Sequence, residues 1–130
     1  MEQKNVQITG IDQKTTEELL AGNYSFVGEK IFYKIYFTLS EDVDLKWIEE
    51  FHTIKGSSMN YNNANLNSFG EGNKLYVYSM SNIEKLTSDL PVIQEIIRNA
   101  NSSYNTIISG EIEELIQSEL NKIKYFNVNV

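Results

Sequence analysis

The single histidine, His52, is the first candidate for chemistry, because an imidazole ordinarily changes its charge close to neutral pH. Glu49 stands one helical turn before it, so the pair could act as a general base or as a weak metal site. The helical pattern around Phe51, however, places His52 on the solvent or boundary side of an apolar stripe. No serine or cysteine partner is recognisable, and we assign His52 no catalytic role.

An acidic run before this helix resembles the start of a calcium-binding loop, with Glu41, Asp42 and Asp44 closely spaced. An EF-hand needs glycine at its sixth position and glutamate at its twelfth. Counted from Asp42, those positions hold Trp47 and Thr53, so the motif fails. Capping of the helix that follows, by Ser40 or Asp42 with Asp44 nearby, explains the acidic residues instead.

Two further patterns have similar structural explanations. Glu111, Glu113, Glu114 and Glu119 could supply the paired carboxylates of a hydrolase. Their spacing places them mostly opposite the Ile112–Leu115–Ile116 stripe, which predicts a solvated helix face. Gly70-x-Gly72 is a fragment of a phosphate-binding loop, but it lacks a third glycine and a helix directly after it, so it predicts a turn.

The composition excludes several classes of site. The chain has no cysteine and one histidine, so it can form neither a thiolate cluster nor a multi-histidine metal site. With a formal charge of −7 and a single arginine, Arg98, it would repel a phosphate backbone. We therefore expect no metal, no cofactor and no nucleic-acid partner.

Tyrosine and asparagine form the most suggestive group, because they supply rigid aromatic area and adaptable hydrogen bonds at recognition surfaces. They are concentrated between Tyr24 and Tyr78, on or beside predicted strands. An ordinary sheet with tyrosine on both faces and an asparagine-rich loop is an equal alternative. The candidate ligand-binding or partner-binding residues are Tyr33, Tyr36, Tyr61, Asn63, Asn65, Tyr76 and Tyr78.

The first half of the chain contains the clearest elements that could position these residues. A strand near Val6–Ile8 and a short helix opened by the capping box Thr15-x-x-Glu18 come first. Gly28-Glu29 then predicts a type II′ hairpin. Its second strand, residues 30–39, is apolar on one face and half apolar on the other, which favours a central position in a sheet. A helix carrying Trp47 and Phe51 on one face follows.

The second half is predicted from the same signals. We expect an irregular edge strand over 59–67 and a strand over 74–78, followed by a helix from the capping box Ser81-x-x-Glu84. Pro91 predicts a break or kink with a fresh start near Ser88-Asp89, and Gly110 predicts an end or a bend. The alternating tail, residues 125–130, predicts a final strand.

These elements predict an α+β fold in which a single layer of mainly antiparallel sheet packs on helices. From about residue 30 the order βαββαβ matches the ferredoxin-like arrangement, with a strand and a short helix as an N-terminal extension. The length of 130 residues and the absence of a linker favour one domain over 1–130.

The sequence favours binding over catalysis. We expect a small acidic cytoplasmic protein that inhibits or neutralises a partner protein, of the immunity or anti-defence type, and a basic partner would suit its charge. The alternatives are a small-molecule-binding domain with a Tyr/Asn-lined pocket, or a structural subunit that pairs with itself through an edge strand or the C-terminal helix. No apolar run approaches the roughly 20 residues of a membrane span, so no membrane partner is expected.

Overall fold

The computed structural model describes residues 2–57, the backbone of residues 64–68, and residues 75–127. Five strands and three helices follow one another along these residues, as an α+β fold. In chain order they are β1 (Ile8–Ile11), α1 (Gln13–Leu20), β2 (Tyr24–Val27), β3 (Lys30–Leu39), α2 (Leu45–Ser57), β4 (Ala64–Ser68), β5 (Leu75–Ser81) and α3 (Ile83–Lys124).

The central strand of the sheet is β3, as its two apolar faces predict. On one edge it pairs with β2 at Lys30–Tyr33 and with β1 at Phe37–Leu39, and on the other edge it pairs with β5. Between β1 and β2, the start of α1 bonds to the backbone of Tyr36: the amide of Asp12 donates to its carbonyl at 2.8 Å, and the Thr16 hydroxyl accepts from its amide. All pairings are antiparallel, and β4 lies outside β5 as the predicted edge strand.

The ferredoxin-like arrangement is not confirmed. The neighbour order β3-β5-β4 is the one that such a fold requires, but the edge of β3 that its last strand would occupy is taken by β1 and β2. The predicted strand over 125–130 does not begin at Tyr125–Asn127, because α3 continues to Lys124 and Tyr125 caps it. Residues 128–130 lie outside the described residues, as do residues 59–63 of the predicted edge strand.

The three helices begin at Asx residues, and the predicted Ser/Thr capping boxes are wrong. The Asp12 carboxylate accepts from the amide of Thr15, and the Asn82 amide oxygen accepts from the amide of Lys85 at 2.8 Å. Asp44 caps α2 in the same way, by accepting from the amide of Trp47. The short acceptor side chain of aspartate or asparagine is at least as good a cap as serine or threonine.

Neither Pro91 nor Gly110 breaks α3, which runs for 42 residues and is therefore about 63 Å long. A proline inside a helix has no N–H to donate to the carbonyl four residues earlier. That carbonyl belongs here to Thr87, which is exposed to water. Asp89, expected at a fresh helix start, instead lies buried inside α3 and accepts from the Ser81 hydroxyl at 2.9 Å. Continuous packing on both sides of Pro91 keeps the helix in one piece.

The core lies between the sheet and the helices α2 and α3. Ile35 and Phe37 of β3 and Val77 of β5 cover it from the sheet, while Trp47 and Phe51 stack within it at 5.5 Å between ring centroids. The remaining buried apolar residues of this cluster are Val6, Val43, Leu86, Ile93, Ile96, Ile97, Ala100, Tyr104 and Ile108. The N-terminal segment before β1 is therefore part of the core, through Val6.

Candidate functional site

The predicted tyrosine set is divided between the two faces of the sheet. Tyr33 lies on the helix-facing side, where it packs against the core. Tyr36, Tyr76 and Tyr78 share the opposite face, with ring centroids of Tyr36 at 6.3 Å from Tyr76 and 5.0 Å from Tyr78. The ammonium group of Lys34 lies 5.0 Å from the centre of the Tyr78 ring. Three of the predicted residues therefore form one aromatic cluster, and Tyr33 does not belong to it.

This cluster offers little free area for a ligand. Tyr36, at its centre, is only 2% exposed, and Tyr76 and Tyr78 are half-buried. The backbone of Asn65 stands opposite Tyr78 in the β4–β5 pairing. Tyr61 and Asn63 lie outside the described residues. Tyr33 therefore cannot line one pocket together with Tyr36 and Tyr78, because it lies on the opposite face of the sheet.

A cleft of about 370 Å³ opens beside the cluster, at the C-terminal end of β3, and Tyr76 lines it. Three acidic residues, Asp12, Glu41 and Asp42, line it. Two of their carboxylates already have structural partners, since Asp12 caps α1 and Glu41 accepts from the amide of Asn5 at 3.4 Å. Among the described residues, no group of three or more His, Asp or Glu side chains could hold a metal ion.

His52 is half-buried on α2 and meets the ring of Phe51 edge-on, at 6.1 Å between centroids. Burial, and then the charge of Lys55, lowers the pKa of His52 below its ordinary value. The neutral imidazole is therefore favoured in the fold. The position on the boundary of the Phe51 stripe agrees with the helical pattern.

A buried polar centre on α3 is the feature that sequence reasoning missed. The Asn101 side chain is buried, and its oxygen accepts from the indole N–H of Trp47 at 2.9 Å and from the amide of Val6 at 3.2 Å. Its side-chain nitrogen donates to the Val6 carbonyl at 3.0 Å. Nearby, the Tyr104 hydroxyl donates to Asp44 at 2.7 Å, and burial together with this carboxylate raises the pKa of Tyr104 to about 12.

The same pattern repeats one helical turn further on. The amide of Lys4 donates to the Asn105 side-chain oxygen and its carbonyl accepts from the Asn105 nitrogen, both at 2.8 Å. Two residues of extended chain and four residues of helix both advance by about 6 to 7 Å, so the pairs Val6–Asn101 and Lys4–Asn105 stay in step. The only signal in the sequence is the i, i+4 spacing of the two asparagines.

The last third of α3 extends beyond the core. The ion pair between Lys46 of α2 and Glu111 is the last hydrogen bond or ion pair that joins α3 to another element among the described residues. Every residue from Ile112 to Asn127 is exposed. We call Glu111–Lys124 the distal segment. Its apolar stripe is 39% to 71% exposed and consists of Ile112, Leu115, Ile116, Leu120 and Ile123.

A second exposed apolar surface lies on the β2–β3 hairpin. Tyr24 and Phe26 are 51% and 64% exposed, and their rings meet edge-on at 5.7 Å. Gly28 closes the hairpin with φ of +65°, and no other described residue has a positive φ, which agrees with the predicted type II′ turn. Four exposed residues make this surface much smaller than the distal segment.

Comparison with family models, with curated proteins and with solved structures finds no match for this chain. Along the described residues, no helix is both long enough and apolar enough to span a bilayer. The exposed stripe of the distal segment therefore has to be interpreted from its own chemistry.

Proposed function

We propose that this protein is a protein-binding module, and that the distal segment of α3 is its binding surface. The observation that carries the proposal is the apolar stripe, which follows the buried part of α3 for about three further turns without cover from the described part of the chain. Soluble proteins rarely expose a contiguous apolar surface of this kind unless it binds another surface. An amphipathic helix offering anchors at i, i+3 and i+4 is a common form of such recognition.

Within this class, the inhibitory role that the sequence favours, of the immunity or anti-defence type, remains a proposal, as does the cytoplasmic location. A helical arm can lay its apolar stripe along a partner surface, and a net charge of −7 would speed its encounter with a basic partner. The tyrosine cluster and the hairpin ring pair of Tyr24 and Phe26 would then be accessory surfaces.

The alternative of a small-molecule-binding domain has weaker support, because Tyr33 lies on the other face of the sheet and Tyr36 is buried. The alternative of a self-pairing subunit shares the supporting observation with the main proposal, since a second copy is also a protein partner.

Leu115→Gln combined with Ile116→Gln tests the binding surface, because it replaces two anchors with residues of good helix propensity. Ser118→Gln combined with Asn121→Gln is the matched control on the opposite side of the helix. A tagged chain is used as bait in a mixture of untagged chain and a lysate of the cells that carry its gene. We expect at least one protein, either the untagged copy or another, to be retained by the wild type and the control and lost at least tenfold by the stripe variant.

Equal recovery of every retained protein by the stripe variant and the wild type would contradict the proposal. So would recovery of nothing by the wild type. Circular dichroism of the variants checks that α3 is still formed.

A further inference from the structure

We infer that the occupant of the apolar stripe is the same stripe of a second copy, with the two distal segments packed antiparallel. The inference rests on the proposed function, because it names the partner of that same surface. It is argued from the charge pattern of the segment, from its internal symmetry and from the area that pairing would remove from water.

The charges of the distal segment are divided along its length. Glu111, Glu113 and Glu114 stand in its first turn, whereas Lys122 and Lys124 stand in its last turn. Parallel packing of two copies would set acidic ends together and basic ends together. Antiparallel packing sets the acidic end of each copy beside the basic end of the other, and both helix dipoles are then opposed as well.

The apolar residues are nearly symmetric about the midpoint between Gln117 and Ser118. When two copies are laid antiparallel about that point, Ile112 of each comes level with Ile123 of the other, and Leu115 comes level with Leu120. A two-fold interface requires this self-complementarity, because each copy contributes the same residues.

Glu119 interrupts the stripe and comes level with Ile116 of the second copy. Its carboxylate already accepts from the Lys122 ammonium at 2.9 Å, so its charge is compensated at the surface. A polar residue at one layer weakens helix pairing but disfavours other registers. We therefore expect a dissociation constant in the micromolar range.

The flanks of the stripe agree with the same orientation. At about 100° per residue, Glu113 and Lys124 project on the same side of the stripe. The two-fold axis keeps each flank on its own side, so Glu113 of one copy faces Lys124 of the other. Both residues are exposed, so each of the two pairs adds modest stability and chiefly selects orientation.

The paired region coincides with the exposed part of α3. Because Glu111 is level with Lys124 of the second copy, the two helices overlap along the distal segment. Burial of about five stripe residues from each copy, together with their flanks, removes roughly 1,000 Å² of surface, near the lower limit for a specific interface.

The mass of the wild-type chain in solution, measured by sedimentation equilibrium over a range of concentrations, tests the pairing. We expect a monomer–dimer equilibrium for the wild type and for Ser118→Gln/Asn121→Gln, and a monomer for Leu115→Gln/Ile116→Gln. A wild type that stays monomeric throughout would overturn the inference. The proposed function would survive that result if the pull-down still recovered another protein through the stripe, and would fall with it otherwise.

Orientation is tested by crosslinking, since the chain has no cysteine of its own. Glu113→Cys is mixed with a Lys124→Cys chain of different tag length, and a short bis-maleimide is added. Antiparallel pairing predicts mixed-size crosslinked dimers at several times the yield of either same-variant dimer. Predominant Glu113→Cys or Lys124→Cys homodimers would show parallel packing and overturn the inference, and Ser118→Cys, on the outer side, serves as the control for random collision.

Discussion

Two parts of α3, residues 83–110 and the distal segment, each carry an apolar stripe but stand in opposite environments. In residues 83–110 that stripe is buried by β5, α2 and the N-terminal segment, and Ile93 and Ile97 are no more than 2% exposed. In the distal segment the stripe is exposed, and Ile116 is 55% exposed. The comparison shows that helical periodicity identifies an apolar face and does not identify what covers it.

The two parts of α3 also differ in the interactions that stabilise them. Residues 83–110 of α3 are stabilised by core packing and by the Asn101 and Asn105 hydrogen bonds, whereas the distal segment has surface contacts such as Lys122–Glu119. A helix of about 14 residues that buries nothing is marginal in water, and Gly110 at its base weakens it further. The distal segment should therefore need a partner in order to be as stable as the rest of α3.

The largest expected difference in the free energy of unfolding is between the same substitution in the buried part of α3 and in the distal segment. Ile97→Ala should lower the free energy of unfolding by about 2 to 5 kcal/mol, because it leaves a cavity in the core. Ile116→Ala should change the unfolding of the dilute monomer by less than about 0.5 kcal/mol, because the side chain is already in water. Urea denaturation at low protein concentration measures both free energies of unfolding, and equal losses of stability would contradict this prediction.

A polar contrast follows, between two asparagines of the same helix. Asn101→Ala should cost about 2 to 4 kcal/mol, because the indole N–H of Trp47 and the backbone of Val6 lose their partner inside the core. Asn121→Ala, in the exposed distal segment, should cost only a few tenths of a kcal/mol. Urea midpoints with Trp47 fluorescence as the signal separate the two, and a cost for Asn101→Ala below about 1 kcal/mol would contradict its role.

The two parts of α3 should also differ in their response to alkaline pH, because Tyr104 lies in the buried part. Its pKa is about 12 in the fold against 10 in the unfolded chain, so its contribution to stability is complete below pH 10 and is lost as pH rises toward 12. The shift corresponds to roughly 2 to 3 kcal/mol. Tyr104→Phe should remove that part of the alkaline loss, whereas Tyr125→Phe, exposed beyond α3, should leave it unchanged. If the free energies of unfolding of Tyr104→Phe and the wild type fell in parallel with rising pH, this prediction would be contradicted.

The smallest effect on stability is expected at Gly110, directly before the distal segment. Gly110 lies inside α3, and an added Cβ would meet no atom within 4 Å. Gly110→Ala should therefore stabilise the helix by about 0.5 to 1 kcal/mol and increase helical circular dichroism at low concentration. Ser118→Ala, within the distal segment, serves as the control substitution. A destabilising Gly110→Ala would mean that the junction requires glycine for a reason other than helix formation.

Local signals predicted most of the elements correctly. The central position of β3 followed from its two apolar faces, and the type II′ turn followed from Gly28. The helix starts were wrong by a few residues, because Thr15 and Ser81 compete with Asx caps that tertiary contacts favour. The break at Pro91 was wrong because packing on both sides of it outweighs one lost hydrogen bond at an exposed turn.

The candidate site was less predictable. Register decides on which face of a sheet a tyrosine lies, and alternation alone separated Tyr33 from Tyr36 without showing that Tyr36 would be buried. The role of Asn101 depends on Trp47 and Val6, which are remote in sequence. The amphipathic C-terminal helix was predicted, but its lack of cover depends on where the rest of the domain ends.

Hydrogen exchange of the backbone amides, followed by mass spectrometry at several protein concentrations, tests whether a second copy covers the stripe. We expect slow, concentration-independent exchange around Ile97 and Asn101, and exchange in the distal segment that slows as the concentration rises through the micromolar range. Leu115→Gln/Ile116→Gln should abolish that dependence. Distal amides that exchange at the same rate at every concentration would contradict the claim that a second copy covers the stripe.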